Sequence, residues 1–91
     1  MAIVQLGTGA TLEDYNKMQA RLADAGVPVP GRILQVCYGD AENVRILNVW
    51  ESREACDSFM DSVMLPLFQE FGLADRDIKI EFAQVHKIAL A

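Results

Sequence analysis

At 91 residues the chain has room for one domain, 1–91, and a chain this short buries only about 60 to 65% of its unfolded surface. Yet 52% of its residues are apolar, against about 45 to 50% in typical domains with glycine counted, which is more than one small core needs and leaves an excess that a subunit interface could absorb. The net charge of −5 is dispersed along the chain, which argues against nucleic acid or an anionic membrane surface as a partner.

Residues 2–7, AIVQLG, read as a short strand that TGAT breaks. Thr11 is placed to cap a helix, and Asp14 three residues on makes a capping-box variant. Leu12, Tyr15, Met18 and Leu22 then recur at helical spacing, with Gln19 and Arg21 on the wet side. Gly26, with Pro28 beyond it, is a natural stop, so the helix is predicted over 12–25. VPVPG is a loop. RILQVCYG, 32–39, is a strand, DAEN is a hairpin turn, and VRILNVW, 44–50, is the returning strand. Ser52 caps the second helix, with Glu54 in its first turn, where the dipole favours a carboxylate. Cys56, Phe59, Met60, Val63, Met64, Leu67, Phe68 and Phe71 form one apolar stripe. Pro66 interrupts it and predicts a kink or restart near 64–66; Gly72 ends it. DIKIEFAQVHKIAL, 77–90, reads as a long last strand in which Ile78, Ile80 and Phe82 alternate with Lys79 and Glu81.

The order strand–helix–strand–strand–helix–strand is that of an α+β, ferredoxin-like βαββαβ fold. With right-handed crossovers both helices lie on one face of a four-stranded antiparallel sheet. The other face of such a sheet should be polar in a monomer. Here Ile33, Leu34, Val36, Cys37 and Tyr38 put apolar groups on both faces of the second strand. The third strand adds Val44, Ile46 and Trp50 on one side and Leu47 and Val49 on the other. A second copy of the chain is the simplest cover for that second face, which predicts a homodimer.

Cys37 and Cys56 have no metal-binding spacing and read as free thiols. There is no signal-peptide pattern and no run of about 18 apolar residues, so a cytoplasmic protein is expected. Nucleotide-binding glycine motifs, phosphate loops and metal-ligand clusters are all missing, and the protein is expected to work with no cofactor.

The pattern PGRILQV…GDAENVRILNVWESREACDSFMDSVMLPLFQEFG resembles the dimeric α+β barrel proteins, and within them the small antibiotic biosynthesis monooxygenase-like group. The most specific part is VWESREA with the hairpin before it and FMDSVMLPLF after it. The resemblance implies a dimeric barrel and, in its oxygenase branch, cofactor-free oxidation of polycyclic phenols. That branch pairs a tryptophan before ES with an asparagine four residues earlier and a tyrosine six residues later. Trp50 and ES match; the asparagine position is Ile46 and the tyrosine position is Cys56, while Asn48 is two residues out of place. A haem-degrading branch resembles the chain through VRILNVWES. Its asparagine, tryptophan and histidine positions hold Gln5, Phe59 and about Gln69 here, which sets haem degradation aside.

Trp50 has two readings: a large residue closing a buried strand, or a wall of a ligand pocket. His86 is the only histidine and the natural candidate for a general base; last-strand parity puts it on the side of Phe82 and Gln84. Tyr38, Gln35 and Asn48 are polar groups on apolar central strands and need partners if buried. Tyr15 is placed to face the same cavity, and Phe59 to wall it. The methionines are core residues first and a plastic pocket wall second. Two functions follow: a homodimeric, cofactor-independent monooxygenase acting on a small aromatic or polyketide-like ligand, or the same dimer as a non-catalytic binding protein.

Overall fold

A computed structural model describes residues 1–91. Its elements run β1 (Ile3–Thr8), α1 (Leu12–Ala25), β2 (Arg32–Asp40), β3 (Asn43–Trp50), α2 (Arg53–Phe59), a π turn (Met60–Met64), α3 (Leu65–Glu70) and β4 (Lys79–Gln84). The strands form one antiparallel sheet in the order β2-β3-β1-β4. This is the ferredoxin-like α+β arrangement, with the helices over one face.

Helix α1 begins as its sequence dictates. The Thr11 hydroxyl accepts the Asp14 amide hydrogen at 3.0 Å, and the Asp14 carboxylate accepts that of Thr11 at 2.9 Å. Asp14 also pairs with Arg76 in the loop before β4. Burial alone would raise the Asp14 carboxyl; its contacts with Thr11 and Arg76 outweigh that and hold it below its ordinary value. The turn into the helix is tied to the β2–β3 hairpin: Leu12 donates to the Ala41 carbonyl at 2.7 Å, and Val44 to that of Ala10 at 2.9 Å.

Two apolar clusters fill the space between helices and sheet. Met18, Leu67 and Leu73 bind α1 to α3. Trp50, Cys56 and Phe59 bind the end of β3 to α2. The Trp50 and Phe59 rings lie 5.6 Å apart and tilted by 43°, a pairing worth about 0.5–1.5 kcal/mol beyond the area it buries.

In the second half, the expected break near 64–66 takes the form of a restart, reached through a widened turn. The Leu65 amide reaches back five residues to the Met60 carbonyl, and Pro66 then opens α3. A proline ring crowds the carbonyl four residues before it, here that of Ser62, and the wider π geometry relieves that crowding. The last strand is shorter than the predicted 77–90. β4 pairs only with β1, and the register Ile3↔Gln84 shows β1 running out of partners there. One further bond, Val85 to the Ala2 carbonyl, ends the pairing. Residues 85–91 therefore have no strand structure.

Candidate functional site

Between the helices and the sheet lies a cavity of about 80 Å³. Most of its wall is apolar: Met18 and Leu22 from α1, Ile46 and Trp50 from β3, Phe59 from α2, Met60 and Met64 from the π turn, and Ile78 and Ile80 from the β4 side. Its polar groups come from three adjacent strands at one level. Gln35 of β2 is the register partner of Asn48 of β3, which is the partner of Gln5 of β1. Strand alternation points all three toward the helices.

These side chains form a directed hydrogen-bond chain. Tyr15, from the second turn of α1, donates its hydroxyl to Gln35 Oε1 at 2.8 Å. Gln35 Nε2 donates to Asn48 Oδ1 at 2.9 Å, and Asn48 Nδ2 to Gln5 Oε1 at 3.3 Å. Trp50 Nε1 donates to the same Gln5 oxygen at 3.0 Å. The direction is forced from the Trp50 end. An indole N–H only donates, so Gln5 must present oxygen to it. Asn48 must then present nitrogen to Gln5 and oxygen to Gln35. Gln35 in turn presents oxygen to Tyr15, which has to donate. Gln5 is 4% exposed, and its oxygen takes two donors while its own amide nitrogen donates to no protein acceptor.

Arg32, the first residue of β2, also lines the cavity. Gly31 sets its approach. Gly31 has φ +85°, and a Cβ there would stand 2.6 Å from the Ala55 Cβ, so only glycine lets the start of β2 pass under α2. The Gly31 carbonyl accepts from the Glu51 amide at 2.8 Å. Burial pushes the Tyr15 hydroxyl above its ordinary value, Cys37 adds to the push, and Arg32 opposes it. Tyr15 is thus a neutral donor at physiological pH, in keeping with its place in the chain. Burial lowers the Arg32 guanidinium from its ordinary value, and Tyr15 opposes that shift. The guanidinium stays charged.

Of the residues singled out in the sequence, Trp50, Asn48, Gln35, Phe59 and Tyr15 come together around this cavity. Tyr38 and His86 do not. Tyr38 is three residues from Gln35 on β2, so strand alternation turns it to the opposite face, where it is 44% exposed and accepts a bond from Arg45. His86 lies two residues past the end of β4, exposed and away from the cavity wall; the parity that placed it with Phe82 fails because the strand has stopped. The cysteine thiols are both free and both raised by burial. No group of three His, Cys, Asp or Glu side chains assembles to hold a metal.

Gln5 and Arg32 were not singled out as ligand-site residues. A lone glutamine in a short apolar strand was a visible signal. Arg32, at a loop–strand boundary, looked like any surface arginine.

No family model matches the chain, and no curated protein does. Solved structures do. A cofactor-independent oxygenase, SnoaB of Streptomyces nogalater, superposes with a TM-score of 0.68 at 11% identity, over 96% of this chain and 95% of that one. A candidate antibiotic biosynthesis monooxygenase of Deinococcus radiodurans gives 0.67 at 15%, over 100% and 98%. A Nitrosomonas europaea protein of unknown function gives 0.74 at 5%, over 99% and 94%. The chain therefore has the fold of the antibiotic biosynthesis monooxygenase-like proteins. No helix is long and apolar enough to cross a membrane.

Proposed function

We propose that the protein is a homodimer whose cavity binds a small aromatic or polyketide-like molecule and that it acts on this ligand as a cofactor-independent monooxygenase. The observation that carries the reading is the directed chain of neutral amides across an otherwise apolar cavity. Burying several amides costs free energy that a purely structural core avoids, whereas a ligand pocket uses a few placed polar groups to orient what apolar walls retain. The shared fold with a cofactor-independent oxygenase supports the chemistry.

The cavity is small for such a ligand. A cavity of about 150 Å³ holds one benzene ring, and this one is near half that size. Met18, Met60 and Met64 line it, and methionine side chains repack at low cost. Two of the three sit on the π turn, a helix irregularity common at functional sites. Ligand entry is expected to move these side chains first.

In the proposed reaction an anthrone-type substrate enters as its enolate. It gives one electron to O₂, the radical pair forms a C–O bond, and the hydroperoxide loses water. The CH₂ carbon becomes a carbonyl, one oxygen atom ends in the product and the other leaves as water. The test is O₂ uptake with 1,8-dihydroxyanthrone. One O₂ consumed per quinone formed, at a rate well above that without protein, is expected; an unchanged rate sinks the catalytic reading.

One observation favours a second reading, a binding protein without chemistry: the cavity chain has no group placed to titrate near neutrality, with Tyr15 pushed upward. That protein would quench the fluorescence of Trp50, the only tryptophan, on adding the anthrone, with no O₂ uptake.

Dimerisation is part of the proposal on separate grounds. Only 10 of 91 residues are buried, too few for a chain that is 52% apolar. The sheet face away from the helices carries Val4, Leu6, Leu34, Val36 and Leu47 beside the already buried Val49, which the strand registers align. A second copy laid on this face would bury it.

A further inference from the structure

We propose that the cavity takes its ligand as an aromatic oxyanion, with the Arg32 guanidinium as charge partner and the Gln5 amide as a second donor. This rests on the ligand-binding reading of the cavity above and names the class of ligand it selects.

The cavity leaves several donors and one positive charge unpaired. Arg32 lines the space and is only partly exposed. The ion pairs of the chain are Lys17–Glu13, Arg21–Glu70, Arg53–Asp57, Arg76–Asp14 and Lys79–Asp77, none of them with Arg32. No side-chain hydrogen bond engages it either. A guanidinium carries five donors and no acceptor, and a partly desolvated one without a partner is an unbalanced charge. Gln5 adds two more free donor hydrogens at the centre of the same wall. Its oxygen is already filled by Trp50 and Asn48, so toward a ligand Gln5 can only donate. Gln19, on α1, lines the cavity with an amide that can serve either way. The fixed groups thus ask for an acceptor, and the one fixed charge asks for a negative one.

The same arrangement explains how phenol chemistry proceeds with His86 remote. A positive charge and aimed N–H donors stabilise the ionised form of a bound acid. A ligand acidic enough to ionise near the working pH would arrive as, or become, its own anion, and no protein base is needed. The bland alternative is that Arg32 only lays its alkyl stem along the apolar wall. In that case its charge contributes nothing to selection.

The test compares matched pairs by NMR-monitored titration of the native protein. Benzoate is set against benzamide, and 4-nitrophenolate against nitrobenzene at mildly alkaline pH. In at least one pair the anion is expected to bind about 10-fold tighter or more, as a charge-assisted hydrogen bond implies; which pair shows it tells carboxylate from phenolate. Arg32→Met should bring the two members of that pair within about twofold of each other. Arg32→Lys keeps the charge without the planar fork and should retain a weaker preference; it serves as the measurement if the methionine variant does not fold. Equal or tighter binding of both neutral members overturns the proposal and leaves an apolar ligand site standing. So does an anion preference that survives Arg32→Met. If no probe binds, the ligand-binding reading falls, and this proposal with it.

Discussion

The two faces of the sheet come from the same four strands and have opposite chemistry. Toward the helices, the level of Gln35, Asn48 and Gln5 is polar and enclosed. One residue along β2, on the other face, Leu34 is 43% exposed and Val36 40%. A monomer built only for stability would reverse this, with amides in water and leucines inside. The inversion shows where each face spends its chemistry. The inner face accepts the desolvation of three amides in exchange for a directed hydrogen-bond chain. The outer face leaves apolar area for another surface to cover.

The largest effect expected is at the hinge between these two roles, Trp50, which is 1% exposed. Trp50→Ala removes a buried aromatic and should cost about 3–5 kcal/mol in urea unfolding. Trp50→Phe keeps most of the packing and removes only the N–H. Gln5 would lose the donor that fixes its orientation, at a cost of about 1–2 kcal/mol, and the amide chain would be free to reverse. Val36→Ala, on the open face, should cost far less in the same assay of a monomeric form. If the Trp50 and Val36 truncations cost the same, the contrast between the faces is wrong.

The next effect is on assembly. Leu34→Lys with Val36→Lys places two ammonium groups on the open face and leaves every cavity residue in place. Burying an unpaired charge at an interface costs several kcal/mol, more than about a hundredfold in a dissociation constant. Sedimentation at micromolar concentration should give the wild type at twice the 10.1 kDa chain mass and the double variant near the chain mass. A wild-type monomer would remove the second copy as the cover for this face.

The fold was readable because each element carries its own local signal. Thr11 and Asp14 announce α1, Gly26 closes it, and the alternation of strands two and three shows two apolar faces. The site was less readable because its defining fact is a register. Gln5, Gln35 and Asn48 lie 13 to 43 residues apart in pairs, and only the pairings β1–β3 and β2–β3 bring them to one level. Gln35 and Asn48 could be flagged as polar groups in need of partners, but not as partners of each other. Parity does not place His86, because β1 has no residue left to pair with β4 beyond Gln84. Residue type does not place Tyr38, because three positions along a strand put it on the face opposite Gln35.

The smallest effect tests whether the enclosed face depends on how α1 is set above it. Asp14 fixes the start of α1 one residue before Tyr15, and its side chain is 15% exposed against 44% for Arg76. Burial acts to raise its carboxyl, and contacts with Thr11 and Arg76 overcome this, so the folded-state pKa lies below the ordinary 3.8. A carboxyl depressed by folding contributes stability that is fully present above its unfolded value and is lost as pH falls through the folded value. Asp14→Asn removes the charge while keeping an oxygen for the Thr11 amide, so it should cost about 1 kcal/mol at neutral pH, the scale of a weakened cap. Because Arg76 is largely in water, added salt should trim part of that cost. In urea titrations stepped from neutral pH into acid, the gap between wild type and variant should begin to narrow near the ordinary carboxyl value and close only once the pH has fallen through the lower folded value, where the wild-type carboxyl also becomes neutral. A gap that persists unchanged in acid would mean that the amide disturbs the cap itself. The Arg76 charge would then have no part in holding Tyr15 over the cavity.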